Sequence, residues 1–453
     1  MRSLIRLLPV ALLAAAVAAP SAAAAAPWSA PVTISAAHTF AGPVGLAPTN
    51  SSNAAWWQWQ DGVAVDPPRG AAIAVSTAAG VFGPEHPIAT FGEGLLDVQG
   101  HGTGRLVALS QDVVRGPRRN DTVLFDVRVA DGNSSAFRAP VRIARAAVTG
   151  RAQLAVAPSG RVAVAYMTYE PKTRRRVVRV AVRTSSGAFS RPEVISGRGQ
   201  AEMVAVGAGR RGDLVVAYVR NKQVLARVRR PGRGWGRAQT LAKPDGPTQW
   251  LLRAAVTDSG RVEVLWRERR LRRPDRPGVR LLAHSSMAPG SSRFARARTI
   301  EADGASRPSE LVALPGGFAV GYTVPDPSGR AIPRAAILGL GAGPPLDVAG
   351  ASGGVRDVRL AWSSRFGLLA TMVQPTPAGN GDGIGLAALL APGAPSFGPV
   401  EAVTPAENVH EVAPGADRDG TPLAVWSARP DGTGPGIPID LVRSVVRTAS
   451  RTG

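Results

Sequence analysis

The chain has 453 residues and no cysteine, with 54 lysines and arginines against 32 aspartates and glutamates, a formal charge of +22. Disulfides and thiolate metal sites are excluded, and 39 prolines argue against a fold of long helices. So large a positive excess points to anionic partners. Lysine occurs only at 172, 222 and 243, which fits either a G+C-rich genome or selection for planar contacts to carboxylate and sulfate.

In chain order, the first element is a targeting segment. Arg2 and Arg6 precede an apolar stretch at 7–19 and a run of alanines at 22–26, the pattern of a secretory signal peptide. Residues 1–26 are therefore expected to be a signal peptide and 27–453 the mature domain, secreted to the extracellular space or the cell envelope. No later stretch is long and apolar enough to span a bilayer.

From there a unit of about fifty residues recurs, the mark of a propeller or a solenoid. Each unit ends in an aromatic or bulky residue, a polar step and a short apolar strand. The copies lie at 28–35 (WSAPVTIS), 82–89 (FGPEHPIA), 137–144 (FRAPVRIA), 189–196 (FSRPEVIS), 235–242 (WGRAQTLA), 294–301 (FARARTIE) and 397–404 (FGPVEAVT), with one near Leu346 that lacks its aromatic. Within the unit a turn glycine precedes an aromatic by six positions: Gly160 and Tyr166, Gly212 and Tyr218, Gly260 and Trp266, Gly316 and Tyr322, Gly420 and Trp426. Glycine supplies the positive φ of a tight hairpin, and the Val/Ala/Leu run between reads as a buried strand. Each unit is thus a four-stranded antiparallel meander, and the fold class is all-β, a single β-propeller. The last unit lacks a fourth strand and the mature chain begins with one, so the N-terminal strand is expected to complete the C-terminal blade and hide the sheet edge. Matching these segments predicts eight blades, with seven as the alternative because the units at 91–145 and 302–349 are degenerate.

The turns before the fourth strands, at 76–82 (STAAGVF) and 184–189 (TSSGAF), and more weakly at 232–235 (GRGW), hold the serine or threonine, the glycine and the aromatic of an Asp-box without its aspartate. In this the chain resembles secreted sialidase-like β-propeller repeat proteins of G+C-rich bacteria, most of them without assigned activity. The resemblance implies a fold, not a reaction. Sialidase chemistry would need three arginines around a carboxylate, a tyrosine nucleophile with a glutamate beside it, and an acid. Tyr166, Tyr218 and Tyr322 sit at the repeated core position. Tyr169 precedes Glu170, but neighbours on a strand point to opposite faces. The five histidines are scattered, and 380–383 (NGDG) and 417–420 (DRDG) lack the rest of a calcium loop, so both read as turns and no metal or cofactor is expected.

Loops on a rigid scaffold carry function. Those between second and third strands are arginine-rich: Arg115, Arg118 and Arg119; Arg174, Arg175 and Arg176; Arg220 and Lys222; Arg267, Arg269, Arg270, Arg272, Arg273 and Arg276. They belong to consecutive units, so a ring gathers them into one basic arc. Residues near the starts of first strands should ring a channel mouth: His38, Asp97, Arg151, Glu202, Arg253, Arg307, Glu310, Arg356, Asp357 and His410. Trp56, Trp57 and Trp59 form the densest aromatic cluster. Alternation puts Trp57 and Trp59 on one face as candidate ligand contacts, with blade core as the competing reading. The expected function is non-catalytic binding of an anionic polysaccharide or envelope polymer by a monomer, with nucleic acid disfavoured. The alternatives are a sialidase-like glycoside hydrolase or polysaccharide lyase working at the channel mouth, and a scaffold for a protein partner.

Overall fold

The computed structural model of the protein describes residues 28–38, 40–48, 52–60, 69–78, 81–89, 93–100, 105–114, 122–130, 136–147, 152–170, 172–183, 187–244, 248–270, 279–302, 308–339, 343–348, 354–376, 383–405, 408–417, 419–429 and 444–451. The expected signal segment lies outside them. All the regular structure among them is β, and none of it is a helix long and apolar enough to cross a membrane.

The strands form antiparallel meanders. Six are separate sheets of four or five strands, spanning 40–89, 93–147, 152–194, 201–242, 248–301 and 312–347. Four of the five turn glycines hold the positive φ the repeat called for, at 82° for Gly160, 85° for Gly212, 88° for Gly260 and 77° for Gly420, as does Gly367 at 91°; Gly316 does not. The aromatics six residues on, Tyr166, Tyr218, Trp266, Tyr322 and Trp426, are all buried between sheets. The aromatic-led segments form the outer strands Val32–Thr33, His86–Ala89, Val141–Ala147, Glu193–Val194, Gln239–Ala242, Arg298–Glu301 and Glu401–Ala402, and the copy without an aromatic forms Leu346–Asp347. Several are pinned by a bridge from the aromatic to the third strand, Phe137 to Ala130, Phe189 to Arg183 and Trp235 to Arg229.

The expectation of eight separate blades, or of seven, needs correction. Six blades stand apart, and the remaining strands form one sheet of eight. In it the meander from Arg356–Ser363 to Glu401–Ala402 continues into that of Asn408–Ala416, Pro422–Arg429 and Val445–Ser450 through a pairing of Gly383 with Val409. The repeat pattern places a loop there. Gly383 begins its strand close against the Gln374 carbonyl of its hairpin partner, where a Cβ has no room. The far edge of this sheet is closed by the N-terminal strand: Val32 pairs with Thr448, Thr33 with Arg447, and Trp28 bridges to Arg451.

The first strands, Phe40–Pro48, Glu93–Gly100, Ala152–Val156, Ala201–Ala208, Thr248–Val256, Val312–Leu314, Arg356–Ser363 and Asn408–Ala416, follow one another around a central cavity, and the last packs on the first. Crowding near the axis selects small residues. A Cβ on Gly207 would sit 2.7 Å from the backbone of Ala254 and Ala255 on the next inner strand. The core lies between sheet faces: Met167, Val178 and Val180 of one sheet meet Val204, Val206 and Tyr218 of the next. Burying such a side chain contributes roughly 1.5–3 kcal/mol, and repetition around the ring makes a core that needs no disulfide.

Candidate functional site: the central cavity

The inner strands share an irregularity near their starts. The pairing with the second strand slips between Ala41 and Val44, Leu95 and Asp97, Ala201 and Met203, Thr248 and Leu252, Arg356 and Arg359, and Val409 and Glu411. A bulge inserts a residue and re-aims the side chains around it. At Asp357 the backbone reaches φ 55°, a left-handed conformation rare outside glycine.

Below the bulges lies a cavity of about 1020 Å³. Its walls are largely Val, Ala and Leu backbone-facing positions, and its polar groups include Asp97, Gln99, Arg253, Arg267, Glu310, Asp357 and Arg359. Of the ten residues expected at the channel mouth, Asp97, Arg253, Glu310 and Asp357 line it. Four others are corrected. Glu202 is exposed on a bulge, and His410, the bulge residue of its own strand, is half-buried away from the cavity lining. Arg356 turns sideways and donates to the His410 carbonyl at 3.2 Å. His38 is buried at the seam where it bridges to Ser444, stacked on Trp59 at 4.8 Å and 3.4 Å from Glu85. For Glu202, Arg356 and His410 the reason is the bulge at each, which shifts side-chain facing by one position where strict alternation foresees none; His38 lies ahead of its first strand, in a bridge at the seam. Arg151 and Arg307 lie outside the described residues.

Asp97 is the most perturbed group in the cavity. It borders the open space but lies deep in protein, and desolvation pushes its carboxyl up from 3.8 to about 7, with Glu310 adding repulsion. Gln99 holds it. The amide of Gln99 donates to Asp97 Oδ2 at 2.7 Å and to the Leu154 carbonyl at 3.0 Å, while its oxygen accepts from the Val156 N–H at 3.0 Å. Gln99 was not among the expected site residues; its only sequence signal is its place two residues after Asp97, on the same strand face. Across the cavity Arg253 and Glu310 form an ion pair at 2.8 Å, although the Arg253 Nε–H is not aligned as a hydrogen bond. Arg359 donates to the Val44 carbonyl at 2.8 Å and to Glu411 at 3.0 Å, and Glu411 also accepts from the Val44 N–H at 3.1 Å. This triad ties three inner strands together. At neutral pH Asp97 is present in both protonation states, so it either donates or accepts a proton at little cost.

The basic arc is brought out only in part. Arg174 and Arg175 are exposed and Arg176 is half-buried, around the turn between strands Val162–Glu170 and Arg175–Arg183. The Arg220 guanidinium folds back onto the Ser196 carbonyl. Arg267 departs from the arc: it is half-buried on the cavity wall, where desolvation and then Arg280 depress its pKa. Arg269 and Arg270 lie in strand Val262–Arg270, whose end side chains are outside the description, as are Arg115, Arg118, Arg119, Arg272, Arg273 and Arg276. The tryptophan reading is also corrected. Trp57 is wholly buried against Val425 and Val446, so it contacts no ligand; Trp59 is occupied by His38; and Trp56, on the other face, lines the cavity. Tyr169 and Glu170 both reach one surface groove, where the Glu170 oxygens accept from Arg179 at 2.7 Å and Thr173 at 3.3 Å. Asp417 accepts from the N–H groups of Asp419 and Thr421, while Arg418 and residues 380–382 lie outside the described residues.

No family model and no curated protein matches the chain. Among solved structures it is similar to a protein of unknown function from Dyadobacter fermentans, at 13% identity over 69% of this chain and 98% of that one, with a TM-score of 0.41. It is similar to a polysaccharide lyase described as an ulvan lyase, at 10% identity over 72% and 88% of the two chains, TM-score 0.45. A third is the β-propeller domain of the trilobed protease from Pyrococcus furiosus, at 9% identity over 74% and 89%, TM-score 0.41. These similar structures include an enzyme on polysaccharide and a propeller domain of a protease, and none assigns this chain to a family.

Proposed function

We propose that the protein is a secreted β-propeller of the sialidase-like, Asp-box-derived kind, and that it binds an acidic glycan of the extracellular space or envelope without cleaving it. The observation that carries the reading is how the charges are shared out. The carboxylates are largely taken up internally: Asp126 by Arg142 at 2.9 Å, Asp213 by Arg230 at 3.0 Å, Glu301 and Asp347 by Arg334 at 2.8 and 2.7 Å, and Glu401 by Arg451 at 2.9 Å. The chain as a whole carries a formal charge of +22. Arg145, Lys172, Arg174, Arg175, Arg191 and Arg198 are exposed within a short stretch of the ring, with no carboxylate partner among the described residues. Arginine forks match carboxylate and sulfate, and a repeating anionic polymer engages several at once. Incubation with sialylated, uronic and sulfated glycans should give retained ligand and no new products by mass spectrometry. Retention of none of them sinks the reading.

A second reading, a glycosidase or lyase acting on the same class of polymer, is favoured by Asp97, a carboxyl tuned to about 7 inside the central cavity. Its signature is product formation that Asp97→Asn abolishes while the fold is kept.

A further inference from the structure

Between the outer strand Val141–Ala147 and the sheet that follows it lies a second cavity of about 620 Å³, inside the range of small-ligand sites, roughly 300–1,000 Å³. Tyr166 and Thr168, two apart on strand Val162–Glu170, form its floor. Arg145 comes from the neighbouring sheet, Arg191 from the approach to the fourth strand, and Lys172 from the turn after Glu170. Tyr169 is 37% exposed at the rim. No motif links these positions, since they come together only across the gap between two sheets.

We propose that this groove is a binding site for one anionic saccharide residue, a uronate or a sulfated sugar. Arg145, Lys172 and Arg191 hold its carboxylate or sulfate, the Tyr166 and Thr168 hydroxyls meet its own hydroxyls, and the Tyr169 ring flanks it. This rests on the acidic-glycan reading and deepens it from a charged surface to a built site. Four observations favour it. The three cations converge with no carboxylate of their own among the described residues. The single acid in the lining, Glu170, is already neutralised by Arg179 at 2.7 Å. The Thr168 hydroxyl makes only a 3.5 Å contact with the Tyr169 carbonyl, which leaves it for a ligand. Burial pushes the Tyr166 phenol up to about 12, so it keeps its proton and remains a donor. Polar floor, cationic rim and one exposed ring suit a charged sugar better than an apolar chain.

The test is calorimetric titration, at low salt, of a sulfated uronate–hexosamine disaccharide and an acidic polymer, with cellobiose as the neutral control. Arg145→Gln/Arg191→Gln should weaken the disaccharide by roughly fiftyfold. Tyr166→Phe and Thr168→Val, which leave the charge unchanged, should each weaken it about fivefold. Arg233→Gln/Arg237→Gln, on an exposed turn elsewhere, should stay within about twofold. A thermal midpoint confirms that each variant is folded, and Thr168→Val stands in if Tyr166→Phe fails to fold. If both charge-neutral variants bind like the wild type, or the groove and distant double variants lose alike, the groove is overturned while the surface reading stands. Polymer binding without disaccharide binding has the same meaning. Binding of neither removes both proposals.

Discussion

The central cavity and the groove at 144–192 are built from the same arginine-rich composition and come out opposite in character. In the cavity, cations face acids: Arg253 meets Glu310 at 2.8 Å and Arg359 meets Glu411 at 3.0 Å. Asp97, with no arginine among the described residues hydrogen-bonded to it, is pushed up to about 7 by desolvation. In the groove four cations stand against one acid, Glu170, which Arg179 claims, so Arg145, Lys172 and Arg191 have no carboxylate among the described residues. Burial explains the difference. Near the axis an unpaired charge costs several kcal/mol, and there Arg359 is held by Glu411 and the Val44 carbonyl and Arg253 faces Glu310. On the rim solvent screens the charge, and arginines with no acid of their own are tolerated. Surplus charge therefore collects where a ligand can reach it, while paired charge marks positions that hold the ring.

The largest effect that would sharpen this contrast is at Asp97. Its folded-state pKa of about 7 lies above the ordinary 3.8, so the native protein retains a proton that the unfolded chain has already lost. The contribution of this group to stability is fully present below about pH 4 and is lost as the pH rises through 7. Asp97→Asn mimics the protonated form, and above pH 8 it should be more stable than wild type by on the order of 3 kcal/mol, with the pH slope flattened. Denaturant unfolding between pH 4 and 9 measures this, and parallel curves for the two proteins would contradict it. Next comes the seam. Arg359→Met leaves Glu411 and the Val44 carbonyl without their partner, and should cost about 1–3 kcal/mol. A midpoint equal to wild type would show the triad to be incidental. The smallest effect belongs to the groove: Arg145→Gln/Arg191→Gln should change stability by less than about 0.5 kcal/mol. A large destabilisation would mean these cations hold the two sheets together, and the contrast between the regions would be lost.

Much of the architecture was legible because it repeats. Glycine at 160, 212, 260 and 420 with its aromatic six residues later, and the aromatic-led outer strands, rest on local rules of turn and alternation, and they appear where the spacing puts them. What breaks the period was not legible. The pairing of Gly383 with Val409 depends on where two loops bring strands together, and local pattern carries no trace of it. The bulges move Glu202 and His410 off the cavity wall for a similar reason. Asp97, Arg253, Glu310 and Asp357, expected near strand starts, line the cavity, but the perturbation of Asp97 comes from depth, which one unit read alone does not show. Trp57 and Trp56 exchanged roles because alternation tells which residues share a face, not which face meets the core. The groove draws Arg145, Tyr166 and Arg191 from both sides of an inter-sheet gap, and so escaped motif reading altogether.

The central claim is that arginines without internal partners bind an acidic glycan. Its most direct test is the affinity for a sulfated uronic polymer between about 50 and about 500 mM sodium chloride, at constant pH. The account predicts that log K falls linearly with log salt, and that the slope shrinks by about one for each groove arginine replaced by glutamine. Affinity unchanged across that range, or a slope indifferent to Arg145 and Arg191, would contradict it.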